Sequence, residues 1–380
     1  PAAGPSPGAA GRAGAMSVQQ GPWDPRALAG SVAVVTGSCN YGVGWGLAKH
    51  CAAELGMHVA LVDLQAKAVE SVTKELAALC PAVRIQGLTC DVSQPSDLAH
   101  CAAEVGRLFA GARVGAIFAN AGVMFPGKFE SQPIQEWALT MNVNVLGVVN
   151  TIQAFLPLLQ RSREPSLMVT TASIAAGLRG DGASASYMAS KHAVVALTES
   201  LSFELARRHP QIRVHTLMPC QVTSSLNETS KRNEAKLVGA IGASAEDNAA
   251  TVEGWKGGGE QHPYMMTTEA HARQVFDRIA RAEFYVLGEN IRPYVDHDFP
   301  FGAIDLMRER CDGLLKLQLD NRDAVEPNER FGPVGTPRTR VLKGPMFQEM
   351  RRRSAASLAK NADAEAKDGS SEAARPASRL

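Results

Sequence analysis

The sequence predicts a doubly wound α/β fold: a mostly parallel seven-stranded sheet with helices on both faces. Three observations carry this. Short, almost continuous apolar runs recur along the chain, stretches of helical length separate them, and the first run passes straight into a glycine-rich turn. Strands covered on both faces lose the in-and-out alternation of half-exposed ones, and strands alternating with helices of roughly ten to twenty residues give βαβ crossovers and a parallel sheet.

The seven runs are Val32–Thr36, His58–Asp63, Val83–Leu88, Val114–Ala119, Leu167–Thr171, Ile212–Leu217 and Phe284–Leu287. Between them, Pro133–Leu159 and Tyr187–Arg208 read as long helices, and Thr267-Thr268-Glu269 opens another with an acceptable N-cap. Residues 28–330 are expected to form one domain. Residues 1 to about 27 (Ala, Gly and Pro with little apolar periodicity) and 331–380 (Gly, Pro, Arg and Ala runs) read as tails. No internal repeat of about 20 to 50 residues is visible.

Of 380 residues, 45% are apolar and 20% charged, which is the composition of a soluble globular protein. Lys plus Arg is 39 against 38 for Asp plus Glu, so no whole-protein field exists to hold a nucleic acid or an anionic membrane. Neither is expected as a partner. No membrane-length apolar stretch and no secretory leader are expected either, which predicts a soluble, intracellular chain. The cysteines at 39, 51, 80, 90, 101, 220 and 311 form no C-x-x-C pair and no zinc spacing with His. They read as reduced core thiols, and no metal site is expected.

The first strand runs into Thr36-Gly37-Ser38-Cys39-Asn40-Tyr41-Gly42-Val43-Gly44 and then a helix-like segment from Trp45. Glycines let backbone approach a pyrophosphate closely, and the positive end of the following helix faces the anion. Asp63 closes the second strand 26 residues after Gly37, where a carboxylate can accept from an adenosine ribose diol. The same carboxylate repels a 2′-phosphate, and none of Ser38, Cys39, Asn40, Tyr41, Leu64 or Gln65 is basic. NAD(H) is therefore favoured, with NADP(H) not excluded. The plainer reading of Asp63 is a cap on the next helix. Further along, Tyr187 and Lys191 are four apart on a helix, so phenol and ammonium share one face, and a neighbouring cation favours phenolate.

In this order the pieces resemble the short-chain dehydrogenase/reductase family, a Rossmann-fold group of NAD(P)-dependent oxidoreductases. The quoted series is the glycine-rich turn, Asp63, Cys90-Asp91-Val92, Ala119-Asn120-Ala121-Gly122, Met141-Asn142-Val143-Asn144-Val145-Leu146-Gly147, Ser173, Tyr187 with Lys191, and Pro219 followed by Val222-Thr223. The resemblance covers about residues 30 to 225 closely and runs loosely to about 320. It implies Tyr187 as acid/base, Lys191 as the group that lowers its pKa and bonds the nicotinamide ribose, and Ser173 as donor to the substrate oxygen. Asn144 would steady, through its backbone, a water linking Lys191 to solvent. Gly37, Ser38, Asn40, Gly42, Val43 and Gly44 would cradle the diphosphate, and Asp63 with Leu64 would meet the adenosine ribose. Asp91 and Val92 would touch adenine, Asn120, Ala121 and Gly122 would lie beside the nicotinamide ribose, and Pro219, Val222 and Thr223 would meet the carboxamide. The implied reaction is hydride transfer between nicotinamide and a secondary alcohol or ketone, with no metal. Read one at a time, Ser173 is also a strand-end hydroxyl, Asn144 a helix-interior amide and Thr223 a turn residue.

Three departures stand out. Four residues separate Gly37 from Gly42 where the family usually has three; the interval from Ser173 to Tyr187 is 14, about one longer than usual; and Cys220 stands where a glycine normally follows Pro219. The first is expected as a bulge, the last as packing. Ser224 to about Met266 turns polar and Gly-rich, with Trp255-Lys256-Gly257-Gly258-Gly259, where the family places its substrate lid. The resemblance also implies a homodimer or homotetramer. Arg351-Arg352-Arg353 reads as a solvated helix face. The final Ser378-Arg379-Leu380 resembles the S-K-L peroxisomal address, which predicts an import receptor as partner, peroxisomal residence with cytoplasmic residence as the alternative, and a lipid-like or acyl substrate. The competing readings are an NADP(H)-dependent carbonyl reductase and a cofactor-binding regulator or scaffold with little turnover.

Overall fold

Val32–Thr36 (β1) is buried at every position, so it suits only the centre of a sheet covered on both faces. It pairs in parallel with His58–Asp63 (β2) on one side and Val114–Ala119 (β4) on the other. Ile85–Thr89 (β3) adds beyond β2, and Ser166–Thr171 (β5), Ile212–Met218 (β6) and Tyr285–Leu287 (β7) add in turn beyond β4. The order is β3-β2-β1-β4-β5-β6-β7, with every pairing parallel. The computed structural model describes residues 22–176, 185–224, 226 and 265–288. Most of the expected lid, Cys311, Arg351–Arg353 and Ser378–Leu380 lie outside them.

All seven expected strands are present. The largest shift is in β3, which begins at Ile85 rather than Val83 because Val83 N–H closes a turn onto the Cys80 carbonyl. The helices are Val43–Ala53 (α1), Ala66–Leu79 (α2), Pro95–Leu108 (α3), Ile134–Met141 (α4), Gly147–Gln160 (α5), Ala185–Arg208 (α6) and Thr268–Ala280 (α7). Consecutive residues of β1 point to opposite faces. Ala33 and Val35 pack with Leu47 of α1, Leu76 of α2 and Val275 of α7, while Val32 and Val34 pack with Leu98 of α3, Phe155 of α5 and Leu205 of α6. Each fully buried aliphatic side chain stabilises this three-layer arrangement by about 1.5–3 kcal/mol.

Local chemistry sets the helix ends. Pro95 occupies the first turn of α3 with Asp97 beside it, and Thr267 caps α7 by accepting from the Ala270 N–H at 3.2 Å. The long helix expected over 133–159 runs from Ile134 to Gln160, but Asn142–Leu146 winds as one π-helical turn between α4 and α5. Such a turn marks a place where a side chain is diverted from regular packing, and here that side chain is Asn144.

The ordered fold also starts before the expected boundary at 27. Asp24 caps the short turn Pro25–Leu28, the Trp23 N–H donates to the Ala280 carbonyl at 2.8 Å, and the Arg213 guanidinium lies 5.1 Å over the Trp23 ring. An aromatic anchor followed by a capped, proline-started turn is enough to fasten this segment. Cys39, Cys51, Cys80, Cys90 and Cys101 are buried free thiols, and Cys220 is half-buried and free.

Two histidines make the fold acid-sensitive. His215 in β6 and His271 in α7 are each 1% exposed. Burial holds both down at about 4; at His215 the Glu283 carbonyl, 2.8 Å from Nδ1, opposes that shift. Neither ring nitrogen of His271 has a hydrogen-bond partner. Because the folded values lie below the unfolded one, the unfolded chain binds more protons between about pH 4 and 6.5. Stability is therefore complete above about pH 6.5 and falls as pH drops toward 4, by about 3 kcal/mol per histidine at the limit. Urea melts between pH 7 and 4.5 should show this decline, and His271→Leu should flatten it; a decline of the same slope in that variant refutes the assignment.

Candidate functional site

The winding of the sheet reverses between β1 and β4, so the loops leaving their carboxyl ends diverge and open a cleft, the place where doubly wound sheets bind ligands. Gly37 follows β1 with φ at +65°, and a Cβ there would stand 2.7 Å from the Ala121 Cα. A Cβ on Gly44 would collide with the Gly37 carbonyl oxygen and the Asn120 side-chain amide. Only glycine lets these three backbone segments close up. Gly42 is the N-cap of α1 and supplies no side-chain acceptor, so the positive end of the helix is left for an anion. The extra residue of the turn is accommodated as a bulge: Tyr41 adopts φ 54°, and Asn40 Oδ1 accepts the Gly42 N–H at 3.2 Å.

Asp63 ends β2 with both carboxylate oxygens engaged. Oδ2 accepts the Cys39 N–H at 2.9 Å and Oδ1 the Leu64 N–H at 2.8 Å. Burial raises its pKa, and these amide donors pull against that rise. The carboxylate faces the cleft and simultaneously tethers the glycine turn.

A hydrogen-bond clamp joins the ends of β1, β4 and β5. Thr36 Oγ1 accepts the Asn120 and Ala121 N–H groups at 3.0 and 3.1 Å. Asn120 Nδ2 donates to the Thr36 and Gly37 carbonyls, and Asn120 Oδ1 accepts the Thr171 hydroxyl at 3.0 Å. Beyond it, Lys191 Nζ donates to the Thr171 carbonyl at 2.8 Å.

Tyr187 and Lys191 lie on the first turns of the described α6, and the Tyr187 and Ser173 hydroxyls are hydrogen-bonded to each other. Burial lowers Lys191 to about 8, leaving the ammonium the main form at neutral pH. Burial also raises the Tyr187 phenol, with the Ser173 hydroxyl pulling the other way. The Lys191 ammonium is not among the causes of this shift, so the lowering expected from the adjacent cation does not enter it. The Lys191 Nζ sits 5.5 Å over the Tyr187 ring centroid and donates to the Thr171 carbonyl, and desolvation is the largest influence on the phenol. Asn144 is fully buried, and its side chain is fully used: Oδ1 accepts the Val123 N–H at 2.7 Å, and Nδ2 donates to the Val123 carbonyl and to Ser190 Oγ, both at 2.9 Å.

One cleft gathers most of the residues singled out from sequence. Gly37, Asn40, Gly42, Val43, Asp63 and Leu64 line one end, Asp91, Val92, Asn120, Ala121 and Gly122 the middle, and Ser173, Tyr187, Lys191, Pro219 and Val222 the other. Four do not line it. Ser38, Gly44 and Asn144 are buried behind its wall, and Thr223 is exposed, its N–H donating to the Met266 carbonyl at 2.9 Å. Sequence reasoning missed Thr171 as the Lys191 partner, and Ser93, Val123, Leu139 and Val143 as lining. A hydroxyl ending an otherwise apolar strand, as Thr36 and Thr171 do, is the signal that could have found the first. Cys220 also lines the cleft, and burial pushes its thiol up, away from thiolate.

The glycine cradle, the closed side-chain clamp and the carboxylate at the end of β2 fit a dinucleotide. Known proteins agree with this geometry. Residues 31–235 match the family model for short chain dehydrogenases. The chain is 30% identical over 282 residues to a 1-deoxy-11-beta-hydroxypentalenate dehydrogenase of Streptomyces avermitilis, covering 71% of this chain and 98% of that protein. It is 29% identical over 311 residues to a C alpha-dehydrogenase of a Sphingobium species, covering 82% and 95%. A crystal structure of a short chain dehydrogenase/reductase from Burkholderia phymatum in complex with NAD matches with a TM-score of 0.63 at 25% identity, covering 80% of this chain and 99% of that one. The agreement of site, topology and sequence leaves one conclusion: the chain belongs to the short chain dehydrogenase family of oxidoreductases.

Proposed function

We propose that this oxidoreductase uses NAD(H) in preference to NADP(H) and interconverts a secondary alcohol and a ketone, with Tyr187 as acid/base. The observation that carries the reading is the meeting of the Tyr187 and Ser173 hydroxyls in the cleft beside the buried Lys191. Nicotinamide, when bound, supplies the hydride acceptor or donor. The chain's own groups do the rest. Tyr187 Oη gives or takes the proton of the reacting oxygen, and Ser173 Oγ donates to that oxygen as charge develops. Lys191, pinned by Thr171, holds a positive charge against the ring and offsets part of the burial penalty on phenolate. Asn144 holds the Val123 backbone and Ser190, and so keeps α6 in register with the cleft.

The cofactor preference is supported by Asp63, by the absence of any basic side chain among Ser38–Tyr41, Leu64 and Gln65, and by the NAD complex of the Burkholderia protein. Both curated relatives described above are named as dehydrogenases, one for a 1-deoxy-11-beta-hydroxypentalenate, which supports an alcohol substrate; its lipid-like or acyl character rests on the Ser378-Arg379-Leu380 resemblance. Assembly as a homodimer or homotetramer is supported by Ile134–Gln160, whose most apolar stretch is only one third buried within the chain. Light scattering of the purified protein should give two or four times the chain mass; a monomer overturns that assembly.

Titration with NADH and NADPH, followed by nicotinamide fluorescence, should show NADH binding about tenfold or more tighter. Asp63 also ties down the turn, so Asp63→Ala weakens both cofactors, whereas Asp63→Asn keeps an acceptor for the Cys39 N–H and narrows the preference. NADPH binding more tightly to the wild type refutes the assignment. Tyr187→Phe should lower turnover at least about a hundredfold while NADH affinity stays within about threefold; near-normal turnover removes Tyr187 from the acid/base role.

A further inference from the structure

We propose that Tyr41, clasped by Glu75, is a positioning residue for the dinucleotide site, an inference that rests on the cofactor reading above. Tyr41 belongs to the lengthened turn, and it stands in the left-handed backbone region at φ 54°, which tyrosine adopts only when its surroundings enforce it. Its side chain supplies the enforcement. The hydroxyl donates to Glu75 Oε2 of α2 at 2.6 Å, and the ring meets Trp45 edge-to-face with centroids 5.4 Å apart. Trp45 is 5% exposed and belongs to the core under α1 and α2, so the ring is anchored to the rigid body of the domain. Tyr41 does not itself line the cleft, whereas Asn40, Gly42 and Val43 on either side of it do.

An added residue brings two more soft dihedrals into a turn whose amides must converge on a diphosphate. Two tethers take up that slack. Cys39 N–H is held by Asp63 at the end of β2, and Tyr41 is held by Glu75 on the next helix, so the turn is fastened before and after Asn40. Ligand affinity depends on how much ordering binding still requires, and the clasp does this ordering in advance. Its carboxylate acceptor makes the bond charge-assisted, though its exposure keeps the effect modest.

The test is an NADH fluorescence titration of the full chain as wild type, Tyr41→Phe, Glu75→Ala, Glu75→Gln and the Tyr41→Phe/Glu75→Ala double variant, with thermal melts of each protein without cofactor. Tyr41→Phe keeps the ring on Trp45 and loses only the hydroxyl. It and Glu75→Ala should each weaken NADH about five- to tenfold, the double variant should be no weaker than either, and Glu75→Gln, which keeps an acceptor, should recover most of the affinity. The cofactor KM should rise by the same factor as the dissociation constant, and more than turnover falls, while the melting temperatures stay close together. Wild-type affinity in Tyr41→Phe, or losses that add in the double variant, overturns the proposal. A wild-type protein that binds neither NADH nor NADPH overturns the cofactor reading and the clasp with it; binding by the wild type and equally by Tyr41→Phe removes the clasp alone.

Discussion

The side chain of Asn120 donates to the carbonyls of Thr36 and Gly37 and accepts from the Thr171 hydroxyl, so a single amide fixes the ends of three adjacent strands. The rest of the site hangs from this junction. On one side it sets where the glycine turn begins, with Ala121 so near Gly37 that no side chain fits between them. On the other it holds Thr171, whose carbonyl accepts a hydrogen bond from Lys191 Nζ. The glycine turn and the Lys191 ammonium are therefore two ends of one hydrogen-bond chain that runs through the carboxyl ends of β1, β4 and β5. A site built on strand ends inherits the precision of the strands.

Much of this was legible from the residues alone, for definable reasons. The seven strands are legible because burial on both faces requires unbroken apolar runs, and because loops of polar and Gly-rich sequence separate them. The cleft residues are legible where identity is forced by geometry, as at Gly37 and Gly44, or by chemistry, as at Tyr187 and Lys191. What stayed hidden depends on three-dimensional partners. Nothing in the order of residues says that Asn144 would spend its side chain on Val123 and Ser190, that the helix would break its α register there, or that Trp23 would be covered by Arg213. The direction of the Tyr187 shift was hidden for a similar reason. Spacing along a helix reports which side chains are neighbours, whereas a pKa is also set by how much water the fold removes, and here removal of water is the largest influence on the phenol.

That same desolvation bears on whether the site is used. Burial lowers Lys191 and raises Tyr187, so in each the charged form loses ground to the neutral one, and holding a charge on either works against the fold. Lys191 is 3% exposed, and a hydrophobic residue of similar volume in its place would leave no buried charge to satisfy. A chain kept only for binding or scaffolding would gain stability from such a replacement. Retaining the buried lysine, with Thr171 positioned to accept from it and Ser173 hydrogen-bonded to Tyr187, is the arrangement of a site in which the charged forms are needed during the reaction. The departures from the family pattern fit this account. The lengthened turn folds Tyr41 outward onto α1 and α2 without disturbing the glycine contacts, and burial keeps the Cys220 thiol in its inert form, so neither intrudes on the groups that would move the proton.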